Sequence, residues 1–181
     1  MTKIIVFNGP PRSGKDTAAH IIQQYFGSDT VAHLKLSTPL KRFVSELSGL
    51  SIPQLEEGKE QPLLFGQTVS SRDLQIAIYE AVSKVAGRDW LGQVIVHKIN
   101  AVEQPIVVLS DGGRPEEIDK LVRNFGASNI LLLQLFRKGT SFQGDIRQYI
   151  YDSRIVTQPV MNEDLQQFKI DIIDEVTSWL A

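Results

Sequence analysis

Residues 9–17 read Gly9-Pro10-Pro11-Arg12-Ser13-Gly14-Lys15-Asp16-Thr17, and this stretch decides the fold. It satisfies the pattern Gly-x-x-x-x-Gly-Lys between an apolar, β-rich run at residues 4–7 and a helical pattern that begins near Lys15. In such a loop, glycines let backbone N–H groups converge on phosphate oxygens at a helix N-terminus, and the lysine ammonium reaches the β- and γ-phosphates. The stretch therefore predicts a phosphate-binding loop; the alternative is an ordinary Gly-rich turn.

The loop supplies the first candidate site. Asp16 stands where the common pattern has Ser or Thr after the lysine, and a hydroxyl follows one residue later, at Thr17. Mg²⁺ bound with ATP needs only one or two protein oxygens, so either Asp16 holds the ion directly or through water, or Thr17 compensates. Lys15 is predicted to be catalytic. The residues predicted to bind the ATP phosphates are Gly9, Arg12, Ser13, Gly14, Lys15, Asp16 and Thr17.

Strand and helix patterns alternate along the rest of the chain. Apolar runs predict strands at residues 4–7, 31–36, 106–109 and 129–136, and a weak fifth at 154–157. Helical patterns begin near residues 15, 39, 71, 88, 115 and 162, where Ser71 and Asn162 are expected as N-caps. This order predicts an α/β fold of three layers, α/β/α, with a mainly parallel sheet whose ligands bind beyond the carboxyl ends of the strands.

Length and composition fit one ordinary globular domain. The chain has 181 residues, of which 42% are hydrophobic and 22% charged, and this argues against disorder or a fibrous architecture. A net charge of −2 without a long Lys or Arg run argues against a nucleic-acid partner. The lack of cysteine excludes thiolate catalysis and favours a reducing, cytoplasmic compartment. The apolar run at the N-terminus is too short for a signal peptide or a membrane span, so no membrane association is expected.

Two further candidates follow the strand at residues 106–109. Asp111 should reach the sheet edge that carries the phosphate loop, where its carboxylate could orient Mg²⁺ through water or hold a substrate group; otherwise it caps a helix. Arg114 follows two glycines that permit close backbone approach to a ligand, and the alternative for it is a surface salt bridge. The sequence has three histidines, His20, His33 and His97. They are not spaced as metal ligands are, and we expect them to be structural or surface residues.

Cations interleaved with Gly and Asp in an irregular segment after residue 136 indicate a lid. Phosphoryl transfer depends on positioning and charge neutralisation, so cations that close over the phosphate both stabilise it and exclude water. From the usual requirements of phosphoryl transfer, we expect about two of these four cations to contact phosphate. The four are Arg137, Lys138, Arg147 and Arg154.

A second group of polar and aromatic residues lies between the first helix and Asp111. Its cations could hold a second phosphate and its aromatic ring could stack on a base. Each of these residues could instead be structural, and a Trp is more often part of a core. The group comprises Lys41, Arg72, Arg88, Asp89 and Trp90.

These motifs, taken in order, resemble the deoxynucleoside monophosphate kinases of bacteriophages, within the wider nucleoside monophosphate kinase-like P-loop group. The resemblance spans nearly the whole chain, but residues 51–70 match poorly and Gly112-Gly113 replaces bulkier residues. The matching segments are residues 9–17, 39–41, 71–75, 88–90, 110–115 with Glu117, 137–139 with Phe142, 144–147 with Tyr149, and Asn162.

The resemblance implies one kinase domain with a five-stranded parallel sheet, which uses ATP with Mg²⁺ as phosphate donor. It implies a core at residues 1–50 and 104–181, a helical substrate-binding insertion at about 51–103 and a lid at about 137–154. Arg137 and Arg147 become the lid arginines with catalytic roles, and a homodimer in the host cytoplasm would fit. The residues implied to bind the nucleoside monophosphate are Lys41, Arg72, Gln75, Arg88, Asp89, Trp90, Asp111 and Arg114.

The expected activity is transfer of the γ-phosphate of ATP to a (deoxy)nucleoside monophosphate, giving the diphosphate. The first alternative is a kinase of another small molecule, such as dephospho-coenzyme A or a non-nucleotide alcohol, because a phosphate loop indicates the donor and not the acceptor. The second is a nucleotide-binding switch or assembly module. A GTPase-like switch would normally carry the motif Asp-x-x-Gly and the guanine-reading motif Asn-Lys-x-Asp. Here Arg114 occupies the Gly position of the first motif, and the sequence lacks the second.

Overall fold

A computed structural model describes residues 1–58, 61–63, 69–145 and 147–181. Residues 59–60 and 64–68 of the segment expected to be mainly loop, and residue 146 of the expected lid, lie outside the described residues. The strands are β1 (Lys3–Asn8), β2 (Val31–Leu34), β3 (Ile106–Leu109), β4 (Ile130–Phe136) and β5 (Val156–Met161). The helices are α1 (Lys15–Phe26), α2 (Thr38–Ser48), α3 (Ile52–Glu57), α4 (Ser71–Ala86), α5 (Trp90–Asn100), α6 (Pro115–Phe125) and α7 (Leu165–Leu180).

The chain divides into two compact units, residues 1–36 with 92–181 and residues 37–91. Within the described part of the first unit, five strands form one parallel sheet in the order β2-β3-β1-β4-β5. The predicted core, insertion and lid are functional divisions and stay predictions.

Alternate residues of β1 face opposite layers of helices. Ile5 and Phe7 lie in a buried cluster with residues of α1 and α7, and Ile4 and Val6 lie in another with residues of α5 and α6. Strands that are covered on both faces read as continuous apolar runs, which is why β1, β3 and β4 could be predicted. The prediction of a three-layer α/β/α fold with a five-stranded parallel sheet is confirmed.

The strand β5 lies at an edge of the sheet, and its predicted position, 154–157, was wrong by several residues. Its sequence, Val-Thr-Gln-Pro-Val-Met, lacks a continuous apolar run because an edge strand is only half-buried. The N–H of Asn162 donates to the Phe136 carbonyl at 2.8 Å, so alternation along the strand turns the nitrogen of Pro159 to the open edge. A proline is tolerated there because that nitrogen has no ladder bond to make.

Two predicted helix caps were each displaced. Asp164, not Asn162, caps α7 by accepting a hydrogen bond from the N–H of Gln167 at 2.8 Å. Ser70, not Ser71, caps α4 and accepts from the N–H of Asp73 at 3.2 Å. In both cases two candidates within two positions of each other satisfied the sequence preference, and only backbone geometry selects between them.

The second unit is helical where it is described. It contains α2, α3, α4 and the first two residues of α5. One buried cluster in this unit is formed by Leu40, Tyr79 and Leu91, with Ile78 and Trp90 against it. An ion pair of 2.9 Å between Lys41 Nζ and Glu56 Oε1 joins α2 to α3.

Two buried side-chain amides fasten residues 148–150 to the carboxyl edge of the sheet, and we call this arrangement the amide clamp. Asn8 and Gln134 are partners in the pairing of β1 with β4. Asn8 Oδ1 accepts from the N–H of Ile150 at 2.9 Å, and its Nδ2 donates to the carbonyls of Gln148 and Gly112, both at 3.2 Å. Gln134 Nε2 donates to the Ile150 carbonyl at 2.7 Å.

Tyr149, between the clamped residues, adds a third attachment. Its hydroxyl donates to the Leu135 carbonyl at 2.9 Å, and its ring stacks on Phe136 with centroids 4.5 Å apart. The chain at 147–150 is therefore held in place without forming regular secondary structure.

We expect Gln134→Met to lower the free energy of unfolding by about 1–3 kcal/mol, because the buried Ile150 carbonyl loses its donor. Urea unfolding of both proteins measures the difference. The matched control is Gln166→Met, the same change on an exposed residue of α7, which should cost no more than about 0.5 kcal/mol. Equal effects from the two substitutions would contradict a role for the clamp in stability.

Candidate active site

The predicted phosphate loop joins β1 to α1 at the carboxyl edge of the sheet. Gly14 lies at the N-cap of α1 with φ of 102°, a left-handed conformation that favours glycine, and Arg12 has φ of 65°. A Cβ on Gly9 would lie 2.6 Å from Ser13 Oγ and 2.8 Å from the Leu135 carbonyl oxygen. Both glycines of the motif are thus required by local geometry, and Gly14 has no side chain to cap the first N–H groups of α1.

Asn162, at the end of β5, supports the loop from the other side. Its Nδ2 donates to the Ser13 carbonyl at 2.9 Å, and a Cβ on Gly14 would overlap the same nitrogen. Asn162 therefore contacts the loop, whereas the cap of α7 is Asp164. The backbone carbonyl of Arg12 also accepts from Arg137 Nη1, at 3.2 Å.

Lys15 lies over the loop. Its Nζ donates to the carbonyls of Gly9 and Pro10, both at 2.7 Å, and a longer contact of 3.5 Å joins it to Ser13 Oγ. Burial, together with the positive charge of Arg147, lowers the pKa of Lys15 to about 8. An anion beside the ammonium would reverse both effects, because it favours the charged form.

Asp16 belongs to a polar network at the carboxyl ends of β2 and β3. Its Oδ1 accepts from Ser110 Oγ at 2.7 Å and pairs with Lys35 Nζ at 2.8 Å. His33 Nε2 lies 2.8 Å from Ser110 Oγ. Burial alone would raise the pKa of Asp16, but the hydrogen bonds from Lys35 and Ser110 outweigh it and hold the pKa below its usual value. Asp16 is therefore ionised near neutral pH.

Arg147 is fixed beside Lys15 by a bidentate ion pair. Its Nε and Nη2 donate to the two carboxylate oxygens of Asp145 at 2.9 and 2.7 Å, and the Asp145 side chain is only 2% exposed. The hydrogen bond to Asp145 raises the pKa of Arg147. A Cβ on Gly113 would lie 2.5 Å from Arg147 Cδ, so the arginine stem rests on the bare backbone there.

The remaining lid cations differ in their contacts. Arg154 pairs with Asp152 at 2.7 Å and with Asp119 of α6 at 2.9 Å, so its charge is directed to α6. Of the four cations, the described contacts bring Arg137 and Arg147 to the phosphate loop and its neighbours. The structure gives Lys138 no such contact among the described interactions.

Asp111 and Glu117 lie together at the start of α6. Asp111 Oδ1 accepts from the N–H of Leu36 at 2.7 Å. Glu117 is 4% exposed, and its Oε2 accepts from the N–H groups of Gly113 and Arg114 at 3.4 and 3.1 Å. Burial, together with the negative charge of Asp111, raises the pKa of Glu117 to about 7.

The other predicted acceptor residues lie in the second unit. Gln75 Nε2 donates to Ser71 Oγ at 3.2 Å, and the Arg88 carbonyl accepts from the Tyr79 hydroxyl at 2.9 Å. Trp90 packs against the core of that unit, its ring centroid 6.1 Å from that of Tyr79. Lys41 is paired with Glu56, as described above. Roles in substrate binding for Lys41, Arg72, Gln75, Arg88, Asp89 and Trp90 stay predictions.

Two negative results concern the described residues only. In residues 1–58, 61–63, 69–145 and 147–181, no three His, Cys, Asp or Glu side chains are grouped so that they could hold a metal ion. In the same part of the chain, no helix has both the length and the apolar character to cross a bilayer.

Comparison with known proteins identifies the fold. No protein-family model and no curated protein matches the chain. A protein of Thermus thermophilus designated TT1252 matches with a TM-score of 0.55 and 16% identity over 99% of this chain and 98% of that one. An unliganded sugar kinase of Janibacter sp. HTCC2649 matches with a TM-score of 0.51 and 12% identity over 99% and 95%.

A thymidylate kinase of Ehrlichia chaffeensis is more distant, with a TM-score of 0.48 and 15% identity over 97% of this chain and 98% of that one. At such identities a likeness concerns the fold alone. The chain has the three-layer α/β/α P-loop fold: the parallel sheet, the loop at residues 9–17 and the first two structural matches agree on it.

Sequence reasoning missed several residues that shape this site. Asn8 ends β1, Gln134 lies two residues before the end of β4, and Lys35, Ser110 and Asn162 directly follow β2, β3 and β5. A polar residue at the end of a buried parallel strand was the available signal, because those ends meet at one edge.

We expect Asn162→Ala to raise the hydrogen-exchange rate of the Ser13, Gly14 and Lys15 amides by roughly fivefold, equivalent to about 1 kcal/mol for one lost hydrogen bond. Exchange monitored by NMR measures it. The control is Asp164→Ala, which should loosen the first turn of α7 and leave the loop amides unchanged. Loop amides that respond equally to both variants would show that Asn162 acts only through α7.

We expect Glu117→Gln to flatten the pH dependence of stability between about pH 4.5 and 7. The pKa of Glu117 is higher in the folded protein, so the wild type loses stability as pH rises through that window, by up to about 3 kcal/mol. Glutamine keeps an oxygen for the two N–H donors and does not ionise.

Urea unfolding at several pH values tests this expectation. Glu116→Gln, one residue earlier and exposed, is the matched control and should keep the wild-type profile. Parallel profiles for wild type and Glu117→Gln would contradict the raised pKa.

Proposed function

We propose that this chain transfers the γ-phosphate of ATP to a deoxynucleoside monophosphate, giving ADP and the deoxynucleoside diphosphate. One observation carries the proposal: Lys15 Nζ lies 2.7 Å from the Gly9 and Pro10 carbonyls over the loop at the N-terminus of α1, and the stem of Arg147 lies against Gly113 at the same edge of the sheet. Two cations held beside open N–H groups form a site for a polyphosphate.

The donor half of the reaction is assigned to the first unit. The N–H groups of residues 14–17 bind phosphate oxygens, and Lys15 exchanges carbonyl oxygens for phosphate oxygens, which favours the charged form of the lysine. Arg147 neutralises charge on the transferring group, and Arg137 supports the loop through the Arg12 carbonyl. Asp145 orients Arg147 through both of its guanidinium bonds.

The acceptor half rests on residue types and on the resemblance in sequence. Lys41, Arg72 and Arg88 are assigned to the acceptor phosphate, and Trp90 with Gln75 to the base. Asp89, Asp111 and Arg114 complete the acceptor set. A phosphate oxygen of a monophosphate is largely deprotonated at neutral pH, so it can attack the γ-phosphorus without a general base.

The residues beside Lys15 fit a magnesium ion. Asp16 and Ser110 offer a carboxylate and a hydroxyl, the hard oxygen ligands that Mg²⁺ prefers, and the Asp16 side chain is 67% exposed. With ATP, Mg²⁺ takes most of its ligands from phosphate and water, so a larger carboxylate group is not required. When bound, the ion would neutralise charge on the β- and γ-phosphates. Thr17, exposed on α1, is the other proposed ligand.

The nearest alternative is a kinase with an alcohol acceptor. Transfer to a hydroxyl requires removal of a proton, and Asp111 would be the carboxylate for that role. A homodimer and a cytoplasmic location, in the host if the chain is phage-encoded, complete the proposal.

The test is an assay of ADP release with ATP, Mg²⁺ and one acceptor at a time. The panel contains each common deoxy- and ribonucleoside monophosphate, dephospho-coenzyme A and several sugar acids or alcohols. Turnover with a deoxynucleoside monophosphate is expected. Turnover only with the other acceptors would replace the proposed acceptor class, and ATP hydrolysis without any acceptor would favour the switch alternative.

We expect Lys15→Met to lower kcat/KM by about 100- to 1,000-fold, as loss of one charge-stabilising donor does. Lys169→Met, on the exposed face of α7, is the matched control and should keep wild-type activity. Retained activity in the Lys15 variant would contradict the mechanism.

A further inference from the structure

A hydroxyl and a carboxylate are in direct contact beside Lys15. Ser110 Oγ donates to Asp16 Oδ1 at 2.7 Å, although 94 positions separate the two residues. Asp16 directly follows the loop lysine, and Ser110 directly follows β3, the strand next to β1 in the sheet. The contact therefore joins the first turn of α1 to the carboxyl end of a neighbouring strand.

P-loop proteins commonly hold their metal with the same two chemical groups in the opposite order. There, a Ser or Thr hydroxyl follows the lysine, and a carboxylate comes from a second segment. Here the carboxylate follows the lysine and the hydroxyl ends the strand. In the next residue, Asp111, one carboxylate oxygen is engaged elsewhere: its Oδ1 accepts from the N–H of Leu36 at 2.7 Å.

We propose that the positions of the two groups are exchanged in this chain, with Asp16 as the direct protein ligand of the Mg²⁺ in Mg·ATP and Ser110 as the residue that positions the Asp16 carboxylate. This inference rests on the proposed binding of ATP. It assigns a role to Ser110, which no motif in the sequence indicated, and chooses Asp16 over Thr17.

The Asp16 carboxylate sets the direction of the hydrogen bonds around Ser110. Ser110 has a single hydroxyl proton, and both Asp16 Oδ1 and His33 Nε2 lie within 2.8 Å of its oxygen. An ionised carboxylate can only accept, so the hydroxyl proton lies toward Asp16 and His33 donates from Nε2. Ser110 therefore holds the carboxylate by donation, as an outer-shell partner orients a metal ligand.

Lys35 shows that this carboxylate accommodates a cation. Its ammonium lies 2.8 Å from Asp16 Oδ1, and its side chain is 32% exposed. A metal ion at Asp16 would share the carboxylate with Lys35 or replace it. A hydroxyl at position 16 would lack the negative charge that both cations need.

The experiment uses three variants of the full chain: Asp16→Thr, Ser110→Asp and the double variant with both substitutions. The double variant recreates the common order of hydroxyl and carboxylate. Calorimetry measures ATP affinity in EDTA and in Mg²⁺, and the ratio is the metal-dependent gain. Electron paramagnetic resonance measures Mn²⁺ binding in the presence of ATP, which gives a readout independent of activity.

We expect Asp16→Thr to lower Mn²⁺ affinity by about 10- to 100-fold, the usual effect of disturbing a metal site. The double variant should recover at least half of that loss on a logarithmic scale. ATP affinity in EDTA is the metal-free reference for each variant, and binding of ATP there also shows that the protein is folded.

A double variant whose loss equals the product of the single losses would overturn the exchange, as would an Asp16→Thr protein with wild-type Mn²⁺ affinity. If the double variant does not fold, Asp16→Asn decides: it keeps an oxygen for Ser110 and removes the charge, so undiminished Mn²⁺ affinity contradicts the proposal. A wild type that binds ATP equally with and without metal also contradicts it. A wild type that binds no ATP at all contradicts the proposed function itself.

Discussion

The hydrogen bonds from Asn8 and Gln134 to the backbone of residues 148–150 hold an irregular segment against the carboxyl edge of the sheet. These amides are paired across β1 and β4, and both are buried, so each N–H and carbonyl that they satisfy would otherwise be a buried polar group without a partner. The position of Arg147 depends on this arrangement, because it directly precedes the clamped residues. Through Arg147, the clamp also influences Lys15.

The clamp divides the expected lid into two parts with different attachments. Residues 148–150 are held by side chains of the sheet, whereas the Arg137 side chain, at the other end, donates to the Arg12 carbonyl. Arg147 is therefore preorganised beside the loop, and its orientation costs little when a phosphate arrives. The same burial that places Lys15 and Glu117 in the site shifts both toward their neutral forms. An anionic ligand opposes this shift at Lys15 and reinforces it at Glu117.

The sequence was sufficient for the loop and for the alternation of strands and helices, because both depend on residues that are close together in the chain. It was insufficient for β5, whose half-buried edge position leaves no continuous apolar run. It also missed Asn162 and Asn8, which contact partners more than 100 residues away. A periodic pattern identifies which residues are buried, but it does not identify the backbone group with which a buried side-chain amide forms a hydrogen bond.

Two glycines that depart from the family resemblance have a physical reason in this chain. A Cβ on Gly112 would overlap Val6 Cγ1, and a Cβ on Gly113 would displace the stem of Arg147. With a bulkier residue at position 112, β1 would have to pack differently, and with one at position 113, the Arg147 side chain would have to follow another path. The departure is therefore coupled to the position of the clamped segment.

The proline in β5 limits how copies of this chain can associate. With its nitrogen turned outward, Pro159 leaves the middle of the open edge without a donor, so another strand cannot complete a ladder along it. Continuation of the sheet from one molecule into the next is disfavoured at that edge, which protects the protein against fibrillar aggregation. Any symmetric pairing of two copies would then use helical surfaces in preference to β5.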